Sequence, residues 1–517
     1  MTEPRDPAEA TKPARQTVPS AHAHAGSAEA GAAELPPHVP GDPATAKPTN
    51  RERMAIDRVG MPERAAEIRA RDFAEVNLGL SMQLAFLEAD RCLQCKNPTC
   101  MDGCPVRVDI PGFIALLQQG DVRGAARSML IDNALPCVTG RVCPQEIQCE
   151  GRCIRAKKGP AVAIGALERF VADWANSHEG AVVLDVHEPT GRKVAIIGSG
   201  PAGLTAAGEL VGLGHEVTIF EAFHAAGGVL TYGIPEFRLP KDIVQQEVDR
   251  LVARGVKIER NAIIGKTWTL GELRERFDAV FIAVGAGLPV FMGVPGENLK
   301  GVLSANEYLT RVNLMGAWSG KTDTPVLHGQ HVAVVGGGNV AMDSVRTGLR
   351  MGAASSSIVY RRGKEELPAR VEEVYHAEAE GVHFEMLTAP VEVLGDESGW
   401  VTGLRCVRME LGEPDESGRR RPSPLAGSEF VLPTDMVVVA IGTRSNPLLT
   451  STAPELELSR RGYIVTDETG MTSMPGVFAG GDIVRGAATV ILAMGDGKDA
   501  AHAIDDYLVR ESESAPA

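Results

Sequence analysis

The chain of 517 residues is long enough for two to four domains, and its 44% apolar residues are sufficient for buried cores. Its 52 basic and 67 acidic side chains give a net charge of −15, which argues against nucleic acid or an anionic membrane as the main partner. No apolar run reaches the length of a membrane span, and the N-terminus contains no signal-peptide core. The sequence therefore predicts a cytoplasmic globular protein.

The N-terminal part divides into a tail and a cysteine-rich segment. Residues 1–50 have almost no large apolar side chain, so burial cannot offset the entropy of ordering them and a disordered tail is predicted. In residues 51–180 apolar side chains recur at helical spacing, which predicts a mostly α-helical domain. Eight of the nine cysteines lie between Cys92 and Cys153, and in a reduced compartment this indicates metal binding rather than disulfides.

These eight cysteines form two groups, and the first group ends in Cys104-Pro105. Zinc often binds two separated pairs of ligands, whereas a dense run ending in Cys-Pro favours iron–sulfur clusters. We therefore predict two [4Fe–4S] clusters, with zinc or unreactive core thiols as alternatives. Because the fourth cysteine of such a run commonly ligates the other cluster, the first site is predicted to be Cys92, Cys95, Cys100 and Cys153. The second would contain Cys104, Cys143 and Cys149, with Cys137 or a carboxylate from the following helix as its fourth ligand.

Residues 177–192 are predicted to be a linker, after which a dinucleotide-binding pattern begins. Apolar residues 194–197 predict a buried strand that leads into a turn and an apolar helical pattern. The turn is a G-x-G-x-x-G sequence, which places a pyrophosphate on a helix N-terminus, and it consists of Gly198, Gly200, Pro201, Ala202 and Gly203. A second predicted strand ends at Glu221, a carboxylate suited to a ribose hydroxyl. We predict dinucleotide binding rather than a purely structural turn.

Two stretches extend this first lobe. Residues 227–240 form a loop whose small residues, Gly228 among them, suit close approach to a flat ring, although an ordinary surface loop has the same composition. Residues 279–285 predict the third buried parallel strand of the lobe.

A second nucleotide-binding turn follows at residues 332–341. Gly336 and Gly338 repeat the spacing of the first turn, Asn339 and Val340 follow them, and Ala341 replaces the third glycine. The chain is therefore predicted to have two nucleotide-binding lobes.

The strand after the second turn ends in Arg361 and Arg362 instead of an acid. Guanidinium groups pair bidentately with a 2′-phosphate, which a carboxylate would repel. This predicts NADP(H) over NAD(H), with two ordinary surface arginines as the alternative.

The last part of the chain is predicted to return to the first lobe. A strand signal at 476–482 ends in Gly481 and Asp482, a carboxylate suited to a ribose or ribityl hydroxyl. A helix follows from about 488 to 509, and its N-terminus would stabilise negative charge on a reduced flavin. The predicted domains are therefore 190–325 and 446–517 for the first lobe and 326–445 for the second. Within the second, the polar residues 412–428 predict an exposed hairpin tip rather than a nucleic-acid site.

Together these motifs resemble the small (β) subunit of NADPH-dependent glutamate synthase. They also resemble the flavin subunit of NADH-dependent ferredoxin:NADP oxidoreductase and the N-terminal half of dihydropyrimidine dehydrogenase. The resemblance covers about residues 55–510 and rests on RCLQC at 91–95, GRVCPQ at 140–145, GIPEFRLP at 233–240 and GGNVAMD at 337–343. It implies an α/β fold with two Rossmann-like nucleotide-binding lobes, for FAD and then NADPH, preceded by an α-helical iron–sulfur domain.

The resemblance also bears on the second cluster. It implies that the position of Cys137 is not a ligand and that Glu168 stands where a Glu or Gln side chain completes the cluster. The implied ligands are therefore Cys104, Cys143, Cys149 and Glu168, and Cys137 is a departure from the family pattern.

The predicted parts describe electron transfer from NADPH through FAD and the clusters to an acceptor, because flavin alone exchanges both electron pairs and single electrons. No side chain need act as a general acid or base, so no catalytic residue is predicted. Glutamine hydrolysis and 2-oxoglutarate reduction would require a larger partner with FMN and its own cluster. The main alternative is the flavin subunit of a bifurcating ferredoxin:NADP transhydrogenase. A disulfide reductase would need a Cys-x-x-Cys in the second lobe, which has only Cys406, and a non-enzymatic scaffold is the remaining class.

Overall fold

A computed structural model of the chain describes residues 48–178, 180, 182–416 and 418–514. The predicted tail lies outside the described residues up to residue 47. Residues 48–178, called here the helical segment, contain the helices α1 (Asn50–Ala55), α2 (Ala66–Arg69), α3 (Met82–Ala89), α4 (Ile110–Gln118), α5 (Val122–Asp132), α6 (Pro136–Val142) and α7 (Ile164–Ser177). Three 3₁₀ turns lie at Met101–Gly103, Gln145–Ile147 and Ile154–Lys157.

The helices of this segment begin where the sequence supplies caps. The Asp109 and Asp121 carboxylates accept hydrogen bonds from the third backbone N–H groups of α4 and α5. Both helices then bury an apolar face, to which Phe113 and Met129 contribute. The helical character predicted for this segment is confirmed.

The rest of the chain alternates strands and helices. Its first half contains β1 (Lys193–Ile197), α8 (Pro201–Gly212), β2 (Glu216–Phe220), α9 (Val229–Tyr232), α10 (Lys241–Ala253), β3 (Lys257–Glu259), α11 (Leu270–Arg276), β4 (Ala279–Ile282), β5 (Leu288–Pro289), β6 (Val302–Ser304), α12 (Ala305–Val312), β7 (His331–Val335), α13 (Asn339–Arg350) and β8 (Ser355–Tyr360). Its second half contains α14 (Val371–Ala379), β9 (His383–Met386), β10 (Thr388–Gly395), β11 (Val401–Pro414), β12 (Arg420–Pro424), β13 (Phe430–Pro433), β14 (Met436–Val439), β15 (Thr443–Arg444), α15 (Pro447–Thr450), β16 (Val477–Ala479), α16 (Asp482–Arg485) and α17 (Val490–Ser514). Two more 3₁₀ turns lie at Ala317–Ser319 and Lys364–Glu366.

Two parallel sheets of five strands define the two lobes. The order in the first sheet is β16-β4-β1-β2-β3 and in the second β6-β14-β7-β8-β9, so four strands correspond, whereas the edge strand comes last along the chain in the first lobe and first in the second. Strand β16 adds the C-terminal part of the chain to the first sheet. The sheets confirm the predicted α/β class with two Rossmann-like lobes.

One predicted boundary needs correction. The second lobe was predicted to begin at residue 326, but β6 pairs in parallel with β14 and is the edge strand of the second sheet. The chain therefore enters the second lobe before residue 305. A strand of three residues is too short for a periodic apolar pattern, which is why the sequence did not reveal it.

A smaller antiparallel sheet, formed by β10, β11, β12 and β13, extends from the second lobe. The β11–β12 pair is the hairpin predicted at 412–428. A two-stranded ribbon joins β5 to β15 between the lobes' sheets.

The apolar cores do not follow the boundaries of the three parts of the molecule. One core contains residues of both the helical segment and the first lobe, such as Phe113 and Leu167 with Leu204 and Ile504. The second lobe has its own core, which takes Phe73, Val76 and Phe237 from the rest of the chain. Among the helices of the described residues, none is long and apolar enough to span a membrane.

Candidate cofactor sites

The first predicted turn lies between β1 and α8. Gly200 is the N-cap of α8, and Pro201 and Ala202 are buried in its first turn. A Cβ on Gly203 would lie 2.0 Å from the carbonyl oxygen of Gly198, so only glycine permits this contact between helix and turn. No described atom lies within 4 Å of the position of a Cβ on Gly200, which leaves room for a phosphate at the helix N-terminus. The turn fits a pyrophosphate.

Glu221 follows β2 and lies beside this turn. Its Oε2 accepts hydrogen bonds from the backbone N–H (3.0 Å) and the hydroxyl of Ser199, and its Oε1 accepts one from the N–H of Phe223 at 2.8 Å. The Ser199 Oγ in turn accepts a hydrogen bond from the N–H of Gly227 at 3.0 Å. The carboxylate is thus fixed where this fold holds a ribose hydroxyl. The role of Ser199 was not predicted, because it lies at a variable position of the motif.

The loop predicted to approach a flat ring packs against the same turn. A Cβ on Gly228 would lie 2.8 Å from the Cα of Gly200, so the two loops are in direct contact. Burial raises the pKa of the Tyr232 hydroxyl to about 12, and the carboxylates of Asp482 and Glu221 add to the effect. Tyr232 therefore lies within electrostatic range of both predicted hydroxyl acceptors.

A buried lysine fixes the shape of this loop. The ammonium group of Lys241 donates hydrogen bonds to the carbonyls of Leu230 (3.0 Å), Ile234 (2.6 Å) and Leu239 (2.7 Å). Burial lowers its pKa to about 7. Neither Tyr232 nor Lys241 was predicted as a site residue, although an aromatic residue and a lysine beside a Gly-rich loop were visible in the sequence.

The predicted C-terminal residues lie beside the first turn. Gly481 donates its N–H to Asp496 at 2.9 Å, and Asp482 accepts a hydrogen bond from the N–H of Ala488 at 3.2 Å. Burial raises the pKa of Asp482 to about 6. A Cβ on Gly497 of α17 would lie 2.2 Å from the carbonyl oxygen of Ala202, so α17 packs closely on α8. The first lobe thus brings together its predicted residues from both ends of the chain.

The second turn has the same construction. Gly338 is the N-cap of α13, and no described atom lies within 4 Å of the position of a Cβ on it. Gly336 has a φ of +144°, and a Cβ there would lie 2.3 Å from the carbonyl oxygen of Ala440. The Asn339 side chain accepts a hydrogen bond from the N–H of Arg370 at 2.8 Å, and Val340 is exposed at the helix N-terminus. This turn also fits a pyrophosphate.

The two predicted phosphate-binding arginines lie in different environments. Arg361 is exposed, and no described residue forms an ion pair with it. Arg362 is 6% exposed, pairs with Asp415 at 2.7 Å and donates a hydrogen bond to the carbonyl of Arg420 at 2.8 Å. Of the two, the exposed Arg361 stays the predicted partner of a 2′-phosphate, whereas Arg362 fastens the β11–β12 hairpin beside it.

The four thiols predicted for the first cluster line one cavity. Cys92, Cys95, Cys100 and Cys153 surround it together with apolar side chains such as Ile110 and Ile154. Burial raises the pKa of Cys92 to about 11 and that of Cys100 to about 12, and the neighbouring Cys153 adds to both shifts. Such thiols need a cationic metal centre to be held as thiolates. The cavity fits a cluster in this respect.

The second predicted set also converges. Burial, and then the negative charge of Glu168, raises the pKa values of Cys143 and Cys104, and Glu168 contributes to the raised pKa of Cys149 as well. The Glu168 Oε1 accepts hydrogen bonds from Asn133 (2.8 Å) and from the hydroxyl of Thr139. Burial raises the pKa of Glu168 to about 7. Glu168 thus lies close enough to affect all three thiols electrostatically, and it stays the predicted fourth ligand.

Cys137 lies on the other side of helix α6. Its backbone N–H donates a hydrogen bond to Glu247 of α10 at 2.9 Å, and its sulfur accepts one from Asn176 at 3.1 Å. Burial raises its pKa, Glu247 and Asp173 add to this shift, and Arg250 and Arg141 oppose it. This position supports Glu168 over Cys137 as the fourth ligand.

The spacing of the thiols can be compared with that of a zinc site. Four thiolates around one zinc ion lie about 3.8 Å apart, given Zn–S bonds of about 2.3 Å in a tetrahedron. Among the described residues, which include all nine cysteines, no three cysteine sulfurs lie within 4.8 Å of one another. All nine are free thiols. The wider spacing fits a multi-iron cluster between the ligands.

Buried charges join the second lobe to the rest of the molecule. Arg238, from the loop of the first lobe, donates hydrogen bonds to both oxygens of Asp343 in α13, at 3.0 and 2.9 Å. Glu380 of the second lobe pairs with Arg69 of the helical segment at 3.3 Å as well as with Arg350 of α13 at 2.7 Å. The sequence did not reveal this network, because its partners are far apart along the chain.

Comparison with known proteins gives the family. Residues 69–180 match the family described as dihydropyrimidine dehydrogenase domain II, 4Fe-4S cluster, and residues 192–497, more than half of the chain, match the pyridine nucleotide-disulphide oxidoreductase family. The glutamate synthase [NADPH] small chain of Azospirillum brasilense is 39% identical over 462 residues, which cover 88% of this chain and 95% of that protein. The chain belongs to the glutamate synthase small-subunit family. The Escherichia coli member is 38% identical, over 88% of this chain and 98% of its own.

Relatives of this family also occur within longer proteins. The NADP(+)-dependent formate dehydrogenase subunit beta of Moorella thermoacetica is 42% identical over 441 residues. The match covers 81% of this chain and 60% of that protein, so the chain spans about three fifths of that relative. Among solved structures, FprA of Mycobacterium tuberculosis superposes with a TM-score of 0.53 at 23% identity, over 63% of this chain and 86% of its own, and shares the fold.

Family membership confirms that the protein is an NADPH-dependent oxidoreductase, with a fold for FAD and NADPH and a [4Fe–4S] domain. The number of clusters and the individual ligands stay predictions.

Proposed function

We propose that the protein takes electrons from NADPH through FAD and passes them through two [4Fe–4S] clusters to a larger partner subunit, which synthesises glutamate from glutamine and 2-oxoglutarate. The observation that carries this proposal is the contact between the second cluster site and the first lobe. A Cβ on Gly495 of α17 would lie 3.2 Å from Pro105, the neighbour of Cys104. Lys498 of the same helix donates hydrogen bonds to the carbonyls of Val106 (3.3 Å) and Asp132 (2.8 Å).

Each cofactor is proposed to be bound by its own set of residues. FAD would be held by Gly198, Gly200, Pro201, Ala202, Gly203, Glu221, Gly228, Gly481 and Asp482. NADPH would be held by Gly336, Gly338, Asn339, Val340 and Arg361, with Arg362 supporting the hairpin next to the phosphate. The clusters would be held by Cys92, Cys95, Cys100 and Cys153, and by Cys104, Cys143, Cys149 and Glu168.

When bound, NADPH supplies a hydride and FAD converts it to single electrons that the clusters carry. The chain's own residues position and shield these groups. The N-terminus of α8 carries a partial positive charge that stabilises the FAD pyrophosphate, and that of α13 does the same for NADPH. Lys241 fixes the loop that packs on the FAD turn, and Arg238 ties this loop to α13. The two nucleotide sites are thereby held in a defined relative position.

A partner is proposed because the cysteines of this chain do not suit glutamine hydrolysis. Outside the helical segment the only cysteine is Cys406, which is fully buried in the antiparallel sheet. The proposed partner carries FMN and its own cluster.

The experiment is purification of the protein with its partner from native cells under anaerobic conditions. We expect NADPH oxidation that depends on glutamine and 2-oxoglutarate together, about eight irons and one FAD per small subunit, and bleaching of the flavin by NADPH. NADPH oxidation that is indifferent to glutamine and 2-oxoglutarate would contradict the glutamate synthase role, and four irons or stoichiometric zinc would contradict two clusters.

A second candidate is an electron-transfer subunit of another complex, either a bifurcating ferredoxin:NADP transhydrogenase or an NADP-dependent dehydrogenase. The similarity to a formate dehydrogenase subunit favours this class. In that case the copurified partner would support NADPH oxidation with ferredoxin, or NADP⁺ reduction with formate, in the absence of glutamine.

A further inference from the structure

The two cluster sites differ in their exposure to solvent. Cys92, Cys95, Cys100 and Cys153 are all partly exposed and line a surface cavity, whereas in the second set only Cys104 is partly exposed and Cys143 and Cys149 are buried. Electron transfer to another protein requires close approach of the two redox centres. The first cluster site is therefore the one that an external partner can reach.

The surface around this site is basic. Lys96 follows Cys95, Arg152 precedes Cys153, and Lys157 and Lys158 lie at the end of the 3₁₀ turn that begins after Cys153. All four side chains are exposed, and within the part of the chain that the structure describes none of them forms an ion pair. We call these four residues the basic rim. A hydrogen bond from the Thr99 hydroxyl to the carbonyl of Arg152 (2.6 Å) holds the two segments of the rim together.

The basic rim is positively charged, whereas the protein as a whole is negatively charged. In residues 93–102 and 151–160 Asp102 is the single acidic residue, whereas the full chain has a net charge of −15. Nearby helix α1 contributes charges of both signs, Arg51 and Glu52, and so changes the local balance little. The net negative charge of the protein repels an acidic partner at long range, whereas the basic rim attracts it. This charge distribution favours one orientation of the partner as well as one kind of partner.

The cavity edge inside the rim is apolar. Ile154 is 44% exposed and lines the cavity beside Cys153, and Leu93 and Pro98 line it from the other side. An apolar centre inside a charged margin is the usual construction of a protein interface.

We propose that the surface formed by the basic rim and Ile154 is the docking site for the acidic face of a redox partner, and that electrons leave the protein there. This inference rests on the proposed function and adds the location and charge of the exit. The rim residues orient the partner and take no part in NADPH oxidation.

The test uses the anaerobic holoenzyme and two electron acceptors of opposite charge, an acidic blue-copper protein (plastocyanin) and basic cytochrome c. The variant Lys96→Glu/Arg152→Glu/Lys157→Glu/Lys158→Glu reverses the rim. The matched control is Lys266→Glu/Lys321→Glu/Arg460→Glu/Arg461→Glu, four exposed cations of the two lobes without ion pairs among the described residues. Both variants change the net charge equally, so they differ only in where the charge is placed.

At low ionic strength we expect rim reversal to slow reduction of the acidic acceptor by at least about tenfold and to accelerate reduction of cytochrome c, both effects disappearing at high salt. The control should change both rates by less than about threefold. Equal effects of the two variants would overturn the proposal, because net charge alone would then explain them. Carbodiimide cross-linking gives a readout independent of turnover: the acidic protein should couple to Lys96, Lys157 or Lys158, and coupling mainly to other lysines contradicts the docking site.

Failure of the proposed function can be distinguished. If NADPH does not reduce the wild-type flavin, the proposed function fails, and dithionite-reduced protein still tests the exit with the same acceptors. If rim reversal lowers the iron content, the milder Lys157→Glu/Lys158→Glu variant, whose changes lie farther from the thiols, takes its place with the same expected direction.

Discussion

The two nucleotide-binding lobes share the arrangement of four parallel strands and the geometry of the Gly-rich turn but are attached to the rest of the molecule in different ways. The first lobe shares a continuous apolar core with the helical segment, and α17 packs on α8 through the close contact of Gly497 with Ala202. The second lobe has a core to which the rest of the chain contributes Phe73, Val76 and Phe237, and ion pairs such as Arg238–Asp343 and Arg69–Glu380 add to this junction. The Phe237 ring lies 3.8 Å from the Arg350 guanidinium and 4.7 Å from that of Arg346.

The different attachment of the two lobes agrees with the cofactor that each lobe is proposed to bind. Under the proposed function the flavin and the clusters must stay at fixed separations, and a shared close-packed core provides this. NADPH has to bind and leave in every cycle, and the lobe proposed to hold it contacts the helical segment through polar side chains as well, such as Arg370 with Gln145 at 2.8 Å. Substitutions in each lobe test whether the two lobes are attached differently.

The largest effect is expected from breaking the charged junction. Glu380→Gln removes the buried carboxylate that Arg346 shares with Glu373 and leaves Arg350 without an ion-pair partner among the described residues, and removal of one member of a buried ion pair typically costs about 3–5 kcal/mol. The loss should appear in urea unfolding of the second lobe, while the FAD content is retained. Glu378→Gln in the same helix region removes the exposed partner of Lys364 and should cost less than about 1 kcal/mol. Equal losses in the two variants, or loss of FAD with Glu380→Gln, would contradict the separation of the lobes.

The two Gly-rich turns differ at one equivalent position, Gly203 in the first lobe and Ala341 in the second, so each residue can be replaced by the other. In Gly203→Ala the new Cβ meets the Gly198 carbonyl oxygen at 2.0 Å, an overpacking that we expect to cost about 3 kcal/mol and so to weaken FAD binding on the order of a hundredfold. The second lobe already has Ala341 at this position, so Ala341→Gly should cost only about 0.5–1 kcal/mol and leave NADPH binding intact. Flavin content and nucleotide titration measure both. Full FAD binding by Gly203→Ala would show that the two turns are interchangeable.

Arg361, which follows strand β8, is expected to distinguish NADPH from NADH. Arg361→Ala is expected to weaken NADPH by roughly tenfold to a hundredfold, since a charge-assisted hydrogen bond contributes about 1.5–3 kcal/mol, and to leave NADH unchanged. Arg421→Ala, which removes an exposed arginine of the hairpin, is the control. Anaerobic stopped-flow reduction of the flavin by each nucleotide gives the values. Equal weakening of NADPH and NADH would assign Arg361 to the fold or the pyrophosphate instead.

The smallest effect is expected at the boundary between the helical segment and the first lobe. Cys137→Ala removes a thiol that faces Asn176 and α10, and it should keep both clusters. Glu168→Ala should perturb one cluster only. Electron paramagnetic resonance of the reduced variants distinguishes the two residues. Loss of a cluster in Cys137→Ala with none in Glu168→Ala would reverse the ligand assignment.

Local features were well predicted from the sequence, and long-range ones were not. The turns at Gly198 and Gly336 depend on a few adjacent residues, so spacing alone indicated their geometry. Arg362 shared every local feature with Arg361, yet its partner Asp415 comes from a hairpin about fifty residues later, which spacing cannot show. Glu168 entered through resemblance to a family, because one carboxylate in a helix has no signature of its own. The junction around Arg238 depends wholly on how the lobes meet.

The central claim is that electrons pass from NADPH through the flavin to the clusters within this single chain. Freeze-quench electron paramagnetic resonance after mixing the anaerobic protein with NADPH tests it most directly, with flavin absorbance followed in parallel. The account predicts that flavin bleaching precedes the signals of reduced clusters and that both occur without any partner. Bleached flavin with clusters that stay oxidised, although dithionite reduces them, would contradict it.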